Sequence, residues 1–294
     1  MILVDYSSIS MSSVMVRIHE FEDNIDLIRH QIYNMIRQYN LEYRDKYGEM
    51  VLCMDSKNNW RKDIFPHYKA NRKKSRDESS HNWKAIFAVM DEVREELINY
   101  GTFRCVRVDK CEADDIIGVI CEKQITPEPI LIISPDKDFV QLQKYPNVKQ
   151  FSNIQKKWIE PEVSALYDLE LKVLKGDTGD GVPNVLSDDD CLITEGVRQS
   201  KLTADKIEKL MKDPEALGTT TARRVIRNRM MIDLSRTPDP LKEEILTHFS
   251  AKAKGSINGL MTLFTKHKMK MMMESLQDFE VKRDESPLAG FLSK

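Results

Sequence analysis

Apolar runs of strand length that stop at acidic residues set the strongest limit on what this chain can fold into. Met1–Val4 runs into Asp5, and Met50–Met54 runs into Asp55. Phe103–Val108 is followed by Glu112, Asp114 and Asp115, and Pro129–Pro135 by Asp136 and Asp138. Two segments with apolar residues at helical spacing, 22–47 and 82–99, lie between these runs, and a shorter one, 112–124, follows the third. Strand and helix in repeated alternation predict an α/β fold, with a mostly parallel central sheet covered by helices. In such a sheet the carboxyl ends of the strands open onto the ligand crevice, so acids far apart in sequence are expected to meet there.

The alternation fades after Pro135. Segments 147–151 and 156–159 read as short strands closing one edge. From residue 161 the pattern is helical, with helices expected over 161–175, 203–213, 219–234, 239–253 and 256–277. A Gly-rich stretch carrying Asp177 and Asp180 separates the two regimes. The expected organisation is an α/β unit over 1–175 and a C-terminal helical domain over 176–294.

A single Asp after a strand is ordinarily a turn residue or a helix cap. Here acids follow four strand or helix ends in one succession, and His and Cys do not accompany them. Carboxylates about 4 Å apart repel by roughly 4 kcal/mol near a protein surface, so a convergent set calls for cations. Hard oxygen donors suit Mg²⁺ or Mn²⁺, and two such ions side by side are suited to cleaving phosphodiesters. The candidate metal ligands are therefore Asp5, Asp55, Glu112, Asp114, Asp115, Asp136, Asp138, Asp177 and Asp180.

The formal net charge of −2 does not announce a nucleic-acid partner, but the distribution of charge does. Residues 57–76 hold eight Lys or Arg against one Asp, a local charge of +7, interleaved with Trp60, Phe65, His67 and Tyr68. Cations that track a backbone beside aromatic faces are the means of gripping single strands, which marks Arg61, Lys62, Lys73 and Arg76. Segment 56–80 has no continuous apolar face and reads as an excursion from the sheet, outside the core. In the helical half, Arg223, Arg224, Arg227 and Arg229, with Lys266, Lys268 and Lys270, are placed to hold duplex phosphates. Asp188-Asp189-Asp190 reads as a solvated loop and Met269–Met273 as packing surface. Five cysteines without a CxxC pair suggest reduced thiols in a cytoplasmic protein. No signal peptide is recognisable, and no run approaches ~20 apolar residues, so no membrane span is expected.

Four segments together resemble the 5′-nuclease, or flap-endonuclease, family, and within it the bacteriophage branch with ribonuclease H activity. They are VLCMDSKNNWRKDIFPHYKANRKKSRDES, DKCEADDIIGVI, LIISPDKDFVQLQKYPNVKQFS and LKGDTGDGVPN. The resemblance implies a PIN-like nuclease fold whose segment 56–80 forms an arch. It also implies a 5′→3′ exonuclease and flap endonuclease that removes RNA primers from lagging-strand fragments. Its cofactor would be a pair of Mg²⁺ ions, with Mn²⁺ substituting. Lys69 and Arg72 match the family's cations at the scissile phosphate, and Tyr68 matches a base-stacking aromatic. The implied substrates are 5′-flap, forked or nicked duplex DNA and RNA/DNA hybrid, handled by a monomer in the host cytoplasm. A single-strand-binding protein is a further expected partner. Leu288, Phe291 and Leu292 on a polar tail, 286–294, suggest contact with a sliding clamp. The family's Gly-Ile-Gly-x-Lys type hairpin is missing, because Val185–Asp190 follows the GDTGD turn, so a potassium site is not expected. A non-catalytic, structure-specific DNA-binding module of a replication complex is the alternative. A phosphatase with an Asp nucleophile is disfavoured, since Asp5-Tyr6-Ser7 lacks the required Asp-x-Asp.

Overall fold

The computed structural model describes residues 1–15, 25–72, 82–123 and 128–281. Six strands form one sheet in the order β3-β2-β1-β4-β5-β6. They are β1 (Ile2–Asp5), β2 (Met50–Cys53), β3 (Arg104–Val106), β4 (Ile130–Ile133), β5 (Val148–Ser152) and β6 (Lys157–Ile159). The first five are parallel, and β6 pairs antiparallel with β5 at the edge. The order reverses direction between β1 and β4, which is where an open α/β sheet places its crevice.

Why the strands are apolar on both sides is visible residue by residue. Ile2 and Val4 point into one hydrophobic cluster and Leu3 into another. Met50 and Leu52 oppose Val51 and Cys53 in the same way, as do Leu131 and Ile133 against Ile130 and Ile132. A period of two with both faces buried is the signature of a covered parallel sheet.

The first face is covered by α1 (Tyr6–Met15), α2 (Ile25–Tyr47) and α4 (Trp83–Tyr100), the short α3 (Arg61–Ile64) lying apart from them. The second face is covered by α5 (Ala113–Lys123) and residues of a 3₁₀ segment, Lys137–Lys144. Five further helices follow β6: α6 (Ala165–Lys175), α7 (Ala204–Lys212), α8 (Thr219–Ile232), α9 (Asp239–Ser250) and α10 (Ile257–Lys266), and a short α11 (Lys270–Glu274) comes after them. A third cluster joins α6, α7 and α8 to Phe65 and Tyr68. The later helices also reach the sheet. Leu260, Phe264 and Phe279 lie in the first cluster with Tyr33, and Ile245 lies in the second.

Three expectations need correction. Helix α1 is absent from the sequence-based reading because its serines break up the apolar pattern. In place, Ser10 donates to the Tyr6 carbonyl at 2.7 Å and Ser13 to that of Ile9 at 2.8 Å, so buried hydroxyls bond back into their own helix. The single helix expected over 256–277 is broken at Lys268, whose φ is +53°, giving α10 and α11. Most consequential, segment 56–72 is not outside the core. Trp60, Phe65 and Tyr68 are buried, as is Arg61, and the apolar residues reach inward from separate turns without forming one helical face.

Lys73, Arg76 and the tail 286–294 lie outside the described residues. Among those described, no helix is long and apolar enough to cross a membrane. All five cysteines are unpaired. Met269 and Met272 are buried in the first cluster, as expected of packing residues.

Candidate metal centre and nucleic-acid interface

Each acid is aimed by a neighbouring donor. Asp5, ending β1, accepts the Ser8 N–H and the Ser134 hydroxyl, each at 3.0 Å. Asp55, just past β2, accepts the Ala113 N–H at 2.7 Å and the Ser7 hydroxyl, which ties it to the start of α5. Asp136, past β4, caps the Asp138 N–H at 2.9 Å. Asp177 accepts the Asp180 N–H at 3.1 Å within the Gly-rich turn. Asp138, Asp177 and Asp180 bring one carboxylate oxygen each to within 4.8 Å of one another.

The electrostatics divide this basin in two. On one side Asp5 is pushed up to about 7 by burial and then by the neighbouring Asp55, with Asp136 adding to it. Asp114 is raised by burial, then by Asp136, with Asp5 contributing. Asp136 is raised by burial too, Asp180 and Asp177 adding and Lys172 opposing. Three acids that resist ionisation together, Asp5 buried, Asp114 half-buried and Asp136 open to solvent at the rim, form a site short of positive charge, which is what a divalent cation supplies. On the other side, cations of the chain are already in place. Burial works against ionisation of Glu112, but Lys69 and Arg61 override it and hold its carboxyl down at about 2. Lys172 does the same for Asp177, lowering it despite burial.

Residues 67–72 are fastened to this second side. Lys69 pairs with Glu112 and lies 3.6 Å from Asp180, while its backbone N–H donates to the Asp180 carbonyl at 2.7 Å. Arg72 pairs with Asp180 and donates to the Gly179 carbonyl. Lys69 holds φ at +58°, a conformation that costs a side-chain-bearing residue about 1 kcal/mol or more and persists where surroundings enforce it. Gly181 makes the approach possible, since a Cβ there would lie 2.9 Å from the His67 carbonyl.

Asp115 and Arg61 do not have the roles expected of them. Asp115 is fully buried and accepts five donors: Arg61 Nη1 and Nη2 at 3.0 and 2.8 Å, Trp60 Nε1 at 3.2 Å, Thr237 Oγ1 at 3.0 Å and the Glu112 N–H at 2.9 Å. Its lone pairs are committed, so it is not a metal ligand here. Arg61 is buried in the same knot and gives its Nε to the Met231 carbonyl at 2.9 Å, so it does not face a nucleic acid. Tyr68 is buried as well. Its ring packs in the third cluster, and its hydroxyl lies 2.9 Å from both Glu112 and Asp180, where a stacking role leaves no free face.

Other cations remain outward. Lys62 and Arg223 are exposed. Arg224 pairs with Asp188 and Arg227 with Asp189, so the acidic loop read as solvated is partly engaged. Arg229 pairs with Glu170 at 2.5 Å. Lys172 was missed altogether. Its signal is its place in the last turn of α6, five residues before Asp177, which a search for acids passes over.

A profile described as "5'-3' exonuclease, N-terminal resolvase-like domain" matches residues 19–168. The chain belongs to the 5′-3′ exonuclease family. A second profile of that family, "T4 RNase H, C terminal", matches residues 163–279, so the family's own division falls somewhat before residue 175. Ribonuclease H of Enterobacteria phage T4 is 33% identical over 290 residues, spanning 94% of this chain and 95% of the relative. A 5′-3′ exonuclease of Buchnera aphidicola is 28% identical over 52% of the chain and 54% of its own length. Flap endonuclease Xni of Shewanella is 22% identical over 66% of the chain and 71% of its own length. These relatives are phosphodiester-cleaving nucleases. The fold matches T5 5′-exonuclease with bound zinc at a TM-score of 0.59 and 16% identity, covering 95% of this chain and 99% of the other. It also matches a T5 flap endonuclease in a pseudo-enzyme-product complex with DNA and metal ions, at 0.61 and 14%.

Proposed function

We propose that this member of the family is a divalent-metal-dependent 5′→3′ exonuclease and flap endonuclease that removes primers from lagging-strand fragments. Its substrates would be RNA/DNA and DNA duplexes with a 5′ end, flap, fork or nick. The observation that carries the proposal is the uncompensated group Asp5, Asp114 and Asp136 beside the compensated pair Glu112 and Asp180, with Lys69 and Arg72 at the boundary.

Asp5, Asp55, Asp114 and Asp136 would hold one Mg²⁺, and Asp138, Asp177 and Asp180 a second, with Mn²⁺ able to replace either. Bound there, the ions supply Lewis-acid activation of water and charge stabilisation at the leaving oxygen. The chain's own residues do the rest. Ser8, Ser134 and Ala113 fix the directions of Asp5 and Asp55. Lys69 keeps Glu112 ionised and, with Arg72, presents positive charge where a phosphodiester would gather negative charge. Lys62 and Arg223 extend positive charge along the surface for the backbone.

The test is cleavage of a labelled 5′-flap duplex with Mg²⁺ and with EDTA, by the wild type and by Asp136→Asn. Wild type should cleave only with the metal. Asp136→Asn should lose on the order of 10²–10³-fold in rate while binding the flap about as well. Cleavage at the wild-type rate by Asp136→Asn would defeat the proposal, as would binding without any cleavage by the wild type.

A further inference from the structure

We infer that Asp188 and Asp189 are internal stand-ins for duplex phosphates, holding Arg224 and Arg227 until a nucleic-acid backbone displaces them. The inference rests on the nuclease reading above and concerns how its duplex site is regulated.

The two sides of this contact are built differently. Both arginines are largely buried, and Arg227 is anchored besides. Arg227 is 10% exposed, gives Nη2 to the Pro183 carbonyl at 3.1 Å and to Asn228 at 2.7 Å, and lies 5.2 Å from the Phe65 ring. Asn228 is itself buried and bonded to the carbonyls of Val173 and Pro183 at 2.8 and 2.9 Å. Arg224, one turn earlier on α8, is 12% exposed. The acids are not fixed in this way: Asp188 is 80% exposed and Asp189 40%.

Two largely buried guanidinium groups, one of them anchored, that face displaceable carboxylates make a preformed anion site with a weak occupant. The carboxylate side of each pair is open to water, which screens the attraction, so little opposes exchange. Guanidinium forks donate to phosphate oxygens as readily as to carboxylate oxygens. The occupant also fits poorly. Arg224 Nε is buried without a hydrogen-bond partner, and it lies 4.0 Å from the Asp189 carboxylate. A phosphate presents more acceptor oxygens than one carboxylate and can satisfy that donor. Exposed Arg223 beside them continues the positive surface. The consequence is selectivity: a ligand must bring closely spaced phosphates to win the arginines from their acids, which disfavours weak, stray contacts.

The experiment measures binding of a blunt DNA duplex in EDTA by fluorescence anisotropy, so that cleavage does not intervene. Asp188→Asn/Asp189→Asn should bind about tenfold more tightly than the wild type, and Asp188→Asn alone, at an 80% exposed position that folding does not depend on, severalfold. Asp190→Asn is the charge control. It removes an acid of the same loop whose hydrogen bond is to Thr194, not to an arginine, and should change the Kd by less than about twofold. In an Arg224→Gln background the gain from Asp188→Asn should vanish. No tightening by the acid variants, equal tightening by Asp190→Asn, or tightening that survives Arg224→Gln would each overturn the inference. The parent reading fails separately, if wild type and Arg224→Gln alike show no measurable duplex binding.

Discussion

Lys172 and Asp177 form an ion pair of 2.8 Å, and the same ammonium also contacts Asp138. A chain-borne cation thus sits between two of the three carboxylates that converge after β4 and α6. A second positive charge entering there meets repulsion as well as attraction. Lys172→Gln should therefore raise the affinity for Mn²⁺ severalfold, read by calorimetric titration at fixed pH. Unchanged or weaker binding would mean that Lys172 orients the ligands and does not compete with the metal.

The metal-free protein should lose stability as pH rises between about 4 and 7. Asp5 moves from 3.8 to about 7 on folding, and Asp114 and Asp136 shift upward with it. In that window the native state keeps protons that the unfolded chain has released, so stability falls with pH. Glu112 and Asp177 act in the opposite sense, but their contribution is lost only as pH falls below about 4. In EDTA the Tm at pH 7.5 should lie on the order of 5 °C below that at pH 5, and Mg²⁺ should remove most of the difference. A Tm in EDTA that holds level or rises over this range would contradict a basin short of positive charge.

The sheet was legible because both faces of its strands are buried, so each core strand is an unbroken apolar run with an acid at its end. Asp5, Asp55 and Asp136 needed nothing more to be found. What the pattern could not show was where a cation points. Arg61 and Lys62 are adjacent in a basic run, yet one is buried against Asp115 and the other is exposed. The difference is set by Asp115 and by the stretch from Met231 to Thr237, which meet Trp60 and Arg61 from two distant parts of the chain. Lys172 was hidden for the complementary reason, since Lys175 shares the last turn of α6 with it and only the fold shows which of the two faces the acids. Helix α1 was hidden because hydroxyl-to-carbonyl bonds let serines be buried without apolar spacing.

Asp115→Asn should separate a structural acid from a ligand. The substitution keeps the shape but leaves the Arg61 guanidinium buried without its counter-charge, a change that costs about 3–5 kcal/mol when one partner of a buried pair is lost. The Tm should fall on the order of 10 °C. Below that temperature, Mn²⁺ affinity should stay within about threefold of the wild type, because the five donors around Asp115 leave no place for a metal. A large loss of metal affinity in a variant of normal Tm would return Asp115 to the ligand set.

Gly181 and Gly48 provide a matched pair for testing how residues 67–72 are held to the Asp177–Asp180 turn. Both have positive φ, +72° and +79°. A Cβ at Gly48 meets nothing within 4 Å, whereas one at Gly181 lies 2.9 Å from the His67 carbonyl and 3.3 Å from the Lys69 nitrogen. Gly48→Ala therefore carries backbone strain alone, about 1 kcal/mol, and should cleave flaps at the wild-type rate. Gly181→Ala carries the same strain and also pushes residues 67–71 off the turn, lengthening the 2.7 Å bond from the Lys69 N–H to the Asp180 carbonyl. Lys69 and Arg72 would then leave Glu112 and Asp180, and a shift of about 1 Å in such groups can lower a rate on the order of 10²-fold. Duplex affinity should fall far less than the rate, since Arg223 and Arg224 lie on α8 and outside residues 67–71 and 177–182. Measured together as single-turnover rate, duplex Kd and Tm, both variants should lose stability, Gly181→Ala the more because it also loosens the Lys69–Glu112 and Arg72–Asp180 pairs, and only Gly181→Ala should slow cleavage. Equal rates would show that the close approach at Gly181 is incidental to cleavage.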